Sequence, residues 1–159
     1  MAKKLETERK FLLKNLPKGL KYSVLKIYQF YLPDGSRIRE TIDSESNFPF
    51  PIHKYELTNK KKLRQGVYEE DEKIISKEKF NKLRSKTISS IYKTRHVYKT
   101  DKIKWEIDTF DNLLLITAEI ELPHLYSGFK MPKQISAELI MEVTEFPQFT
   151  NKSLAQNIE

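Results

Sequence analysis

Charged residues of one sign recur in pairs spaced two apart along this chain. The acidic pairs are Glu6 and Glu8, Glu70 and Glu72, Glu106 and Asp108, and Glu119 and Glu121. The basic pairs are Arg37 and Arg39, and Lys93 and Arg95, while Lys10 follows Glu8 at the same spacing and Lys60 follows Glu56 and Thr58. Arginine forks and lysines bind phosphoryl oxygens, the former bidentately. Clustered carboxylates supply the oxygen ligands that Mg2+ or Mn2+ takes, usually with several waters and a substrate phosphate completing the shell. A site holding both sets meets the needs of metal-assisted phosphoryl transfer: neutralised phosphate charge and an oriented water.

A spacing of two puts paired side chains on one face of a strand. Segments with this alternation are 4–13, 24–32, 36–42, 53–59, 67–75, 91–99, 102–110, 115–122 and 139–144. In several of them the opposite face is apolar: Ile38, Tyr55 and Leu57, Trp105 and Ile107, Ala118 and Ile120, Met141 and Val143. Two arrangements satisfy this pattern. One is an open sheet whose charged face is solvated, its cross-strand ion pairs contributing little. The other is a sheet closed into a barrel, with a polar lumen and an apolar outside covered by helices and loops. The segregation of acids from bases favours the lumen.

Turn chemistry separates the strands at Pro33-Asp34-Gly35 and at 99–102. Ser76 can cap a helix over 77–89, with a weaker helical pattern at 133–140 and a terminal turn at 151–157. The stretch 43–52, with Pro49 and Pro51, reads as a surface loop. Trp105, Phe80, Tyr92 and Tyr98 are expected to pack the outside of the barrel, and Arg9 stands on that outer face without an assigned role. His53, His96 and His124 show no ligand spacing.

The 159 residues suggest a single domain, 1–159, with 38% hydrophobic and 32% charged residues, a soluble balance. No apolar run approaches a membrane span and the N-terminus lacks a signal-peptide core, so no membrane partner is expected. Without cysteine there is no disulfide or thiolate site, and a cytoplasmic location is the default. The net charge of +7 asks for an anionic partner. No nucleic-acid module, P-loop or nucleophile elbow is present, so a small-molecule anion is expected rather than nucleic acid.

The ordered motifs resemble the CYTH, or triphosphate tunnel metalloenzyme, family. Glu6-x-Glu8-x-Lys10 is similar to its E-x-E-x-K signature. In family order follow Gln29-x-Tyr31-Leu32, Arg37-x-Arg39, Leu57-Thr58-x-Lys60, Glu70-x-Glu72, Lys93-x-Arg95, Trp105-Glu106-Ile107-Asp108, Ala118-Glu119-Ile120-Glu121 and Glu142-Val143-Thr144. The resemblance spans residues 5–155. It implies a mainly β (α+β) fold, an eight-stranded antiparallel β-barrel or tunnel with a few helices packed outside. It also implies a triphosphate bound in the lumen with one or two Mg2+ or Mn2+ ions. Glu6, Glu8, Glu119 and Glu121 would then hold the metal, and Lys10, Arg37, Arg39, Lys60, Lys93 and Arg95 the triphosphate. Glu70, Glu72, Glu106 and Asp108 would line the opposite catalytic wall, with Tyr31 beside Lys10 at the reacting phosphate.

The chain departs from the family at Phe30, where glycine is usual, and at Phe146 and Gln148, where an acid and a base are usual. The lost basic position bears on the grip on substrate. The expected activity is hydrolysis of inorganic triphosphate. The alternatives are a class IV-type adenylyl cyclase, a thiamine, nucleoside or RNA triphosphatase, or a binder that does not hydrolyse, as monomer or homodimer.

Overall fold

A computed structural model describes residues 3–124 and 126–157. Its strands are β1 (Lys4–Leu13), β2 (Ser23–Tyr31), β3 (Arg37–Asp43), β4 (Ile52–Arg64), β5 (Val67–Ile74), β6 (Ser89–Lys99), β7 (Lys104–Phe110), β8 (Ile116–Glu121), β9 (Leu139–Glu142) and β10 (Gln156–Asn157). The helices are α1 (Lys77–Arg84), α2 (Lys133–Ser136) and α3 (Asn151–Leu154), with a 3-10 turn at Pro147–Phe149.

The strands run in the order β6-β2-β3-β4-β5-β1-β8-β7, every neighbour antiparallel, and β6 pairs with β7 to close the barrel. Short β9 attaches to β1 and two-residue β10 to β6. Closure leaves an inside and an outside, and the period-2 pattern assigns a side chain to each. The apolar faces turn out. Phe11, Leu13, Trp105, Ile107, Ala118, Ile120 and Ile135 form one outer core. Phe30, Ile38, Ile75 and Phe80 form another beneath α1, with Tyr55 and Tyr92 packed against it. Trp105 is fully buried, its ring 6.0 Å from Phe11 and 5.9 Å from Phe129. Two separate outer cores hold the wall, so the lumen needs no apolar filling.

Local chemistry sets the corners. At Pro33-Asp34-Gly35 the Leu32 and Gly35 amides bond Ser36 and Leu32 carbonyls, and Gly35 takes a φ of +88° that favours glycine. At the β4–β5 tip Gly66 has a φ of +74°, and its carbonyl accepts the Glu8 amide at 2.8 Å, tying this hairpin to β1. Ser76 caps α1 by accepting the Lys79 amide at 3.1 Å.

Several boundaries differ from those expected. Helix α1 ends at Arg84 rather than 89, because Ser89 and Ser90 pair with Tyr31 and Phe30 in the barrel ladder. Strand β4 runs to Arg64 rather than 59, since β5 offers partners along its whole length. Helix α2 covers only Lys133–Ser136, giving way to β9 where β1 supplies an open edge. No described helix is long and apolar enough to cross a membrane.

Candidate active site

Seven of the eight barrel strands turn charged side chains inward, and β2 contributes Gln29 and Tyr31 instead. On β1, Glu6, Glu8 and Lys10 stand opposite Tyr68 of β5, then Glu121 and Glu119 of β8. Arg37 and Arg39 of β3 face Thr58 and Glu56 of β4 on one side and Tyr31 and Gln29 of β2 on the other. Lys60 lies opposite Glu70, and Thr58 opposite Glu72. Arg95 lies opposite Asp108, and Glu106 opposite Glu119.

The lumen divides into a filled part and an open part. In the filled part Asp108 holds two cations: its oxygens lie 2.9 Å from Arg95 Nε and NH2, and Lys93 Nζ is 2.9 Å away. Glu106 adds a contact to Arg95 NH1 at 3.0 Å. Burial disfavours the Asp108 charge, but Arg95 and Lys93 outweigh it and hold the carboxyl far below its usual range. Burial pushes Lys93 down to about 7, against the pull of Asp108. Arg39 donates to Gln29 Oε1 at 3.0 and 2.7 Å. Burial, then the charges of Arg37 and Arg95, lower its pKa to about 10.

The open part is a cavity of about 380 Å3 whose walls include Glu8, Lys10, Tyr31, Arg37, Thr58, Lys60, Tyr68 and Glu119. Lys60 Nζ sits 2.8 Å from Glu6 and 3.3 Å from Glu8, over the Tyr68 ring at 4.5 Å. Burial and the facing Glu119 carboxylate push Glu8 well above its ordinary range. Burial also opposes the Glu6 charge, yet a hydrogen bond with Glu8 and the charge of Lys60 hold Glu6 low. Glu119 is held to about 2, the charge of Lys10 overcoming its burial. Arg37 NH2 donates to Thr58 at 3.2 Å and lies 3.6 Å from Glu72, while its buried Nε has no hydrogen-bond partner among the described residues. A segment after β9 closes one side of the cavity with Val143, Thr144, Phe146, Phe149 and Asn151, and the Phe149 carbonyl accepts from Lys10 Nζ at 2.7 Å.

Of the expected residues, then, Glu8, Lys10, Tyr31, Arg37, Lys60 and Glu119 wall the cavity directly. Glu6 reaches it through Lys60, and Glu70 stands beside Glu6, its carboxyl pushed up to about 7 by burial and by that neighbour. Glu72 accepts from Thr58 at 3.0 Å. Arg39, Lys93, Arg95, Glu106 and Asp108 make up the filled part. Glu121 lies at the exposed rim and pairs with Lys4 at 3.1 Å. The acid of β9 behaves differently from the rest: Glu142 is on the outer face, where it accepts from Arg9 Nε at 2.8 Å, and Arg9 also covers the Phe129 ring at 4.9 Å. That contact supplies the role Arg9 lacked in the sequence.

Tyr68 and Phe149 were missed, and Phe146 was singled out only as a departure bearing on the grip on substrate, without a place in the cavity wall. Tyr68 shares parity with Glu70 and Glu72 and was legible in principle. The closing segment has no period to read.

The carboxylate oxygens of Glu6, Glu8 and Glu119 are a donor set suited to a hard divalent cation. Among the described residues no three acidic or histidine side chains are already gathered to hold an ion, and the Lys60 ammonium provides the positive charge between Glu6 and Glu8. A buried carboxylate group so crowded that Glu8 resists ionisation fits a cation in chemistry.

Acids and bases thus face the lumen of a closed antiparallel barrel. No family model matches the chain. Over 69 residues it is 38% identical to an inorganic triphosphatase of Acetivibrio thermocellus, a match covering 42% of each chain. The match thus spans less than half of that curated relative. The crystal structure of the hypothetical protein NE1496 is 28% identical and superposes with a TM-score of 0.61 over 97% of this chain and 99% of that one. A proposed adenylate cyclase of Bacillus halodurans, 16% identical, shares the fold with a TM-score of 0.50 over 79% of this chain and 84% of that one. The chain thus shares a closed antiparallel barrel with these solved structures and, over 69 residues, its sequence with the triphosphatase.

Proposed function

We propose that the protein is a divalent-metal-dependent hydrolase of triphosphates, with inorganic tripolyphosphate, cleaved to pyrophosphate and phosphate, as its minimal substrate. The observation that carries this reading is the convergence on one cavity of Glu8 and Glu119 with Lys10, Arg37 and Lys60. Acids alone would make a cation site and bases alone an anion site; the mixture suits a phosphate chain carrying its counter-cation. The name of the Acetivibrio thermocellus relative supports the same substrate class.

Glu6, Glu8 and Glu119 would hold Mg2+ or Mn2+, which supplies charge neutralisation and an activated water when bound. Lys60, released from Glu6 and Glu8, would turn its ammonium to a phosphate oxygen. Arg37 brings a buried N–H that has no partner among the described residues, so it can donate to phosphate without losing another bond. Lys10 would exchange the Phe149 carbonyl for a phosphate oxygen. These donors are held by barrel strands, so charge developing on the phosphoryl group meets an electrostatic cage already in place.

The test is phosphate and cyclic-nucleotide release from tripolyphosphate, ATP and thiamine triphosphate with Mg2+, Mn2+ or EDTA. Hydrolysis is expected only with metal, and Glu6→Ala and Glu8→Ala should each reduce it by about a hundredfold or more. Unchanged turnover in either variant would refute the site. Tight binding without turnover under any metal would make the protein a triphosphate binder, and cyclic product would make it a cyclase.

A further inference from the structure

Two neighbouring residues of β1 hold the segment that closes the cavity, one from each side of the barrel wall. Inside, Lys10 Nζ donates to the Phe149 carbonyl at 2.7 Å. Outside, Arg9 grips Glu142 with two donors, Nε to Oε2 at 2.8 Å and NH2 to Oε1. Glu142 Oε2 also accepts from Thr144 Oγ1 at 2.7 Å, and Thr144 Oγ1 accepts the Lys10 amide at 2.9 Å. Between these ties the Val143 amide bonds the Lys10 carbonyl at 2.8 Å. The Arg9 guanidinium lies 4.9 Å from the Phe129 ring centre and 5.7 Å from that of Phe11, so packing fixes its direction. Exposed ion pairs as a rule contribute little. A bidentate arginine fork on a carboxylate that is itself hydrogen-bonded is the exception, and only 26% and 35% of the two side chains is exposed.

The inner tie lasts only until the anion arrives. A phosphate oxygen that takes over Lys10 releases the Phe149 carbonyl, so the segment loses its inner anchor as the cavity fills. The outer tie lies on the far side of the wall and survives. We propose that Arg9 is a positioning residue: through Glu142 and Thr144 it keeps Val143, Phe146 and Phe149 over the cavity while Lys10 is engaged with the anion. This rests on the triphosphatase reading and adds to it a residue that never touches substrate. Without the clamp the segment lifts and the anion is held less well, while the barrel groups that act on it stay in place.

The test compares wild type, Arg9→Met, Arg9→Lys, Glu142→Gln and the R9M/E142Q double variant. Methionine keeps an apolar stem over Phe11 and Phe129, so the outer core stays packed. Steady-state hydrolysis of tripolyphosphate with Mg2+ is measured beside amide hydrogen exchange of the ligand-free protein. Arg9→Met is expected to raise KM about five- to tenfold with kcat held within about twofold, the signature of lost uniform binding. Exchange of the Phe146 and Phe149 amides, which bond the Val143 and Phe146 carbonyls, should quicken about tenfold while β6 and β7 keep their rates. Arg9→Lys, which retains the charge, should recover part of the KM change, and the double variant should do no worse than Arg9→Met, since both break one contact. An unchanged KM, a fall in kcat alone, or exchange that quickens equally throughout the barrel would overturn the proposal and leave the triphosphatase reading standing. If wild type neither binds nor cleaves tripolyphosphate, that reading fails, and unchanged exchange of the segment in Arg9→Met would then overturn the clamp as well.

Discussion

Asp108→Asn perturbs the most tightly coupled charges in the barrel. The Asp108 carboxylate is the shared partner of Lys93, which is fully buried, and of Arg95, which is 7% exposed. Removing one partner of a buried ion pair costs about 3–5 kcal/mol, because the other charge is stranded. Two features place this case near the lower figure. Lys93 is already pushed down to about 7, so it sheds its proton readily once the carboxylate is gone. Arg95 keeps Glu106 at 3.0 Å. At about 2–4 °C per kcal/mol for a chain of this size, a loss of about 3 kcal/mol lowers Tm by roughly 6–12 °C. The assay is thermal unfolding at neutral pH of wild type, Asp108→Asn, and Asp108→Asn combined with Lys93→Met. The second substitution removes the stranded amine, so the double variant should recover more than about 0.5 kcal/mol relative to additive losses. A Tm for Asp108→Asn within about a degree of wild type, or strict additivity, would show that the cluster is not the coupled unit described here.

Lys93 also predicts a pH dependence. Its folded pKa of about 7 lies below the ordinary lysine value near 10.4, so the unfolded state binds more protons between those limits. Stability is therefore lowered below pH 7 and regained as pH rises, by on the order of 2 kcal/mol between pH 7 and 9. Urea midpoints at the two pH values should show this rise in wild type and its loss in Lys93→Met. Arg37→Met should cut kcat/KM for tripolyphosphate about ten- to hundredfold, the usual effect of losing a charged hydrogen bond, with a smaller effect on Tm; steady-state kinetics alongside melting separates the two. Trp105→Ala, which empties the fully buried outer core beside Phe11 and Phe129, should cost about 3–5 kcal/mol, read as a fall in Tm of roughly 6–20 °C.

Strand period alone determined which residues share a face. Glu6, Glu8 and Lys10, Arg37 and Arg39, and Glu119 and Glu121 were legible as pairs because a pleat repeats every two residues whatever the strand pairs with. The outward placement of Trp105 and Tyr92 followed from the same parity. Three things needed the closed barrel. Register decided that Arg95 meets Asp108 across β6 and β7, so that charges expected to hold phosphate are neutralised within the protein. Strand stagger decided that Glu121 reaches the rim while Glu119 reaches the cavity, two residues apart on one face. Packing decided that the irregular segment after β9 folds over the lumen, placing Phe146, Phe149 and Asn151 in the cavity wall. A residue's face is a local property of its strand, but its partner and depth depend on which strands close around it, and no short-range pattern encodes that.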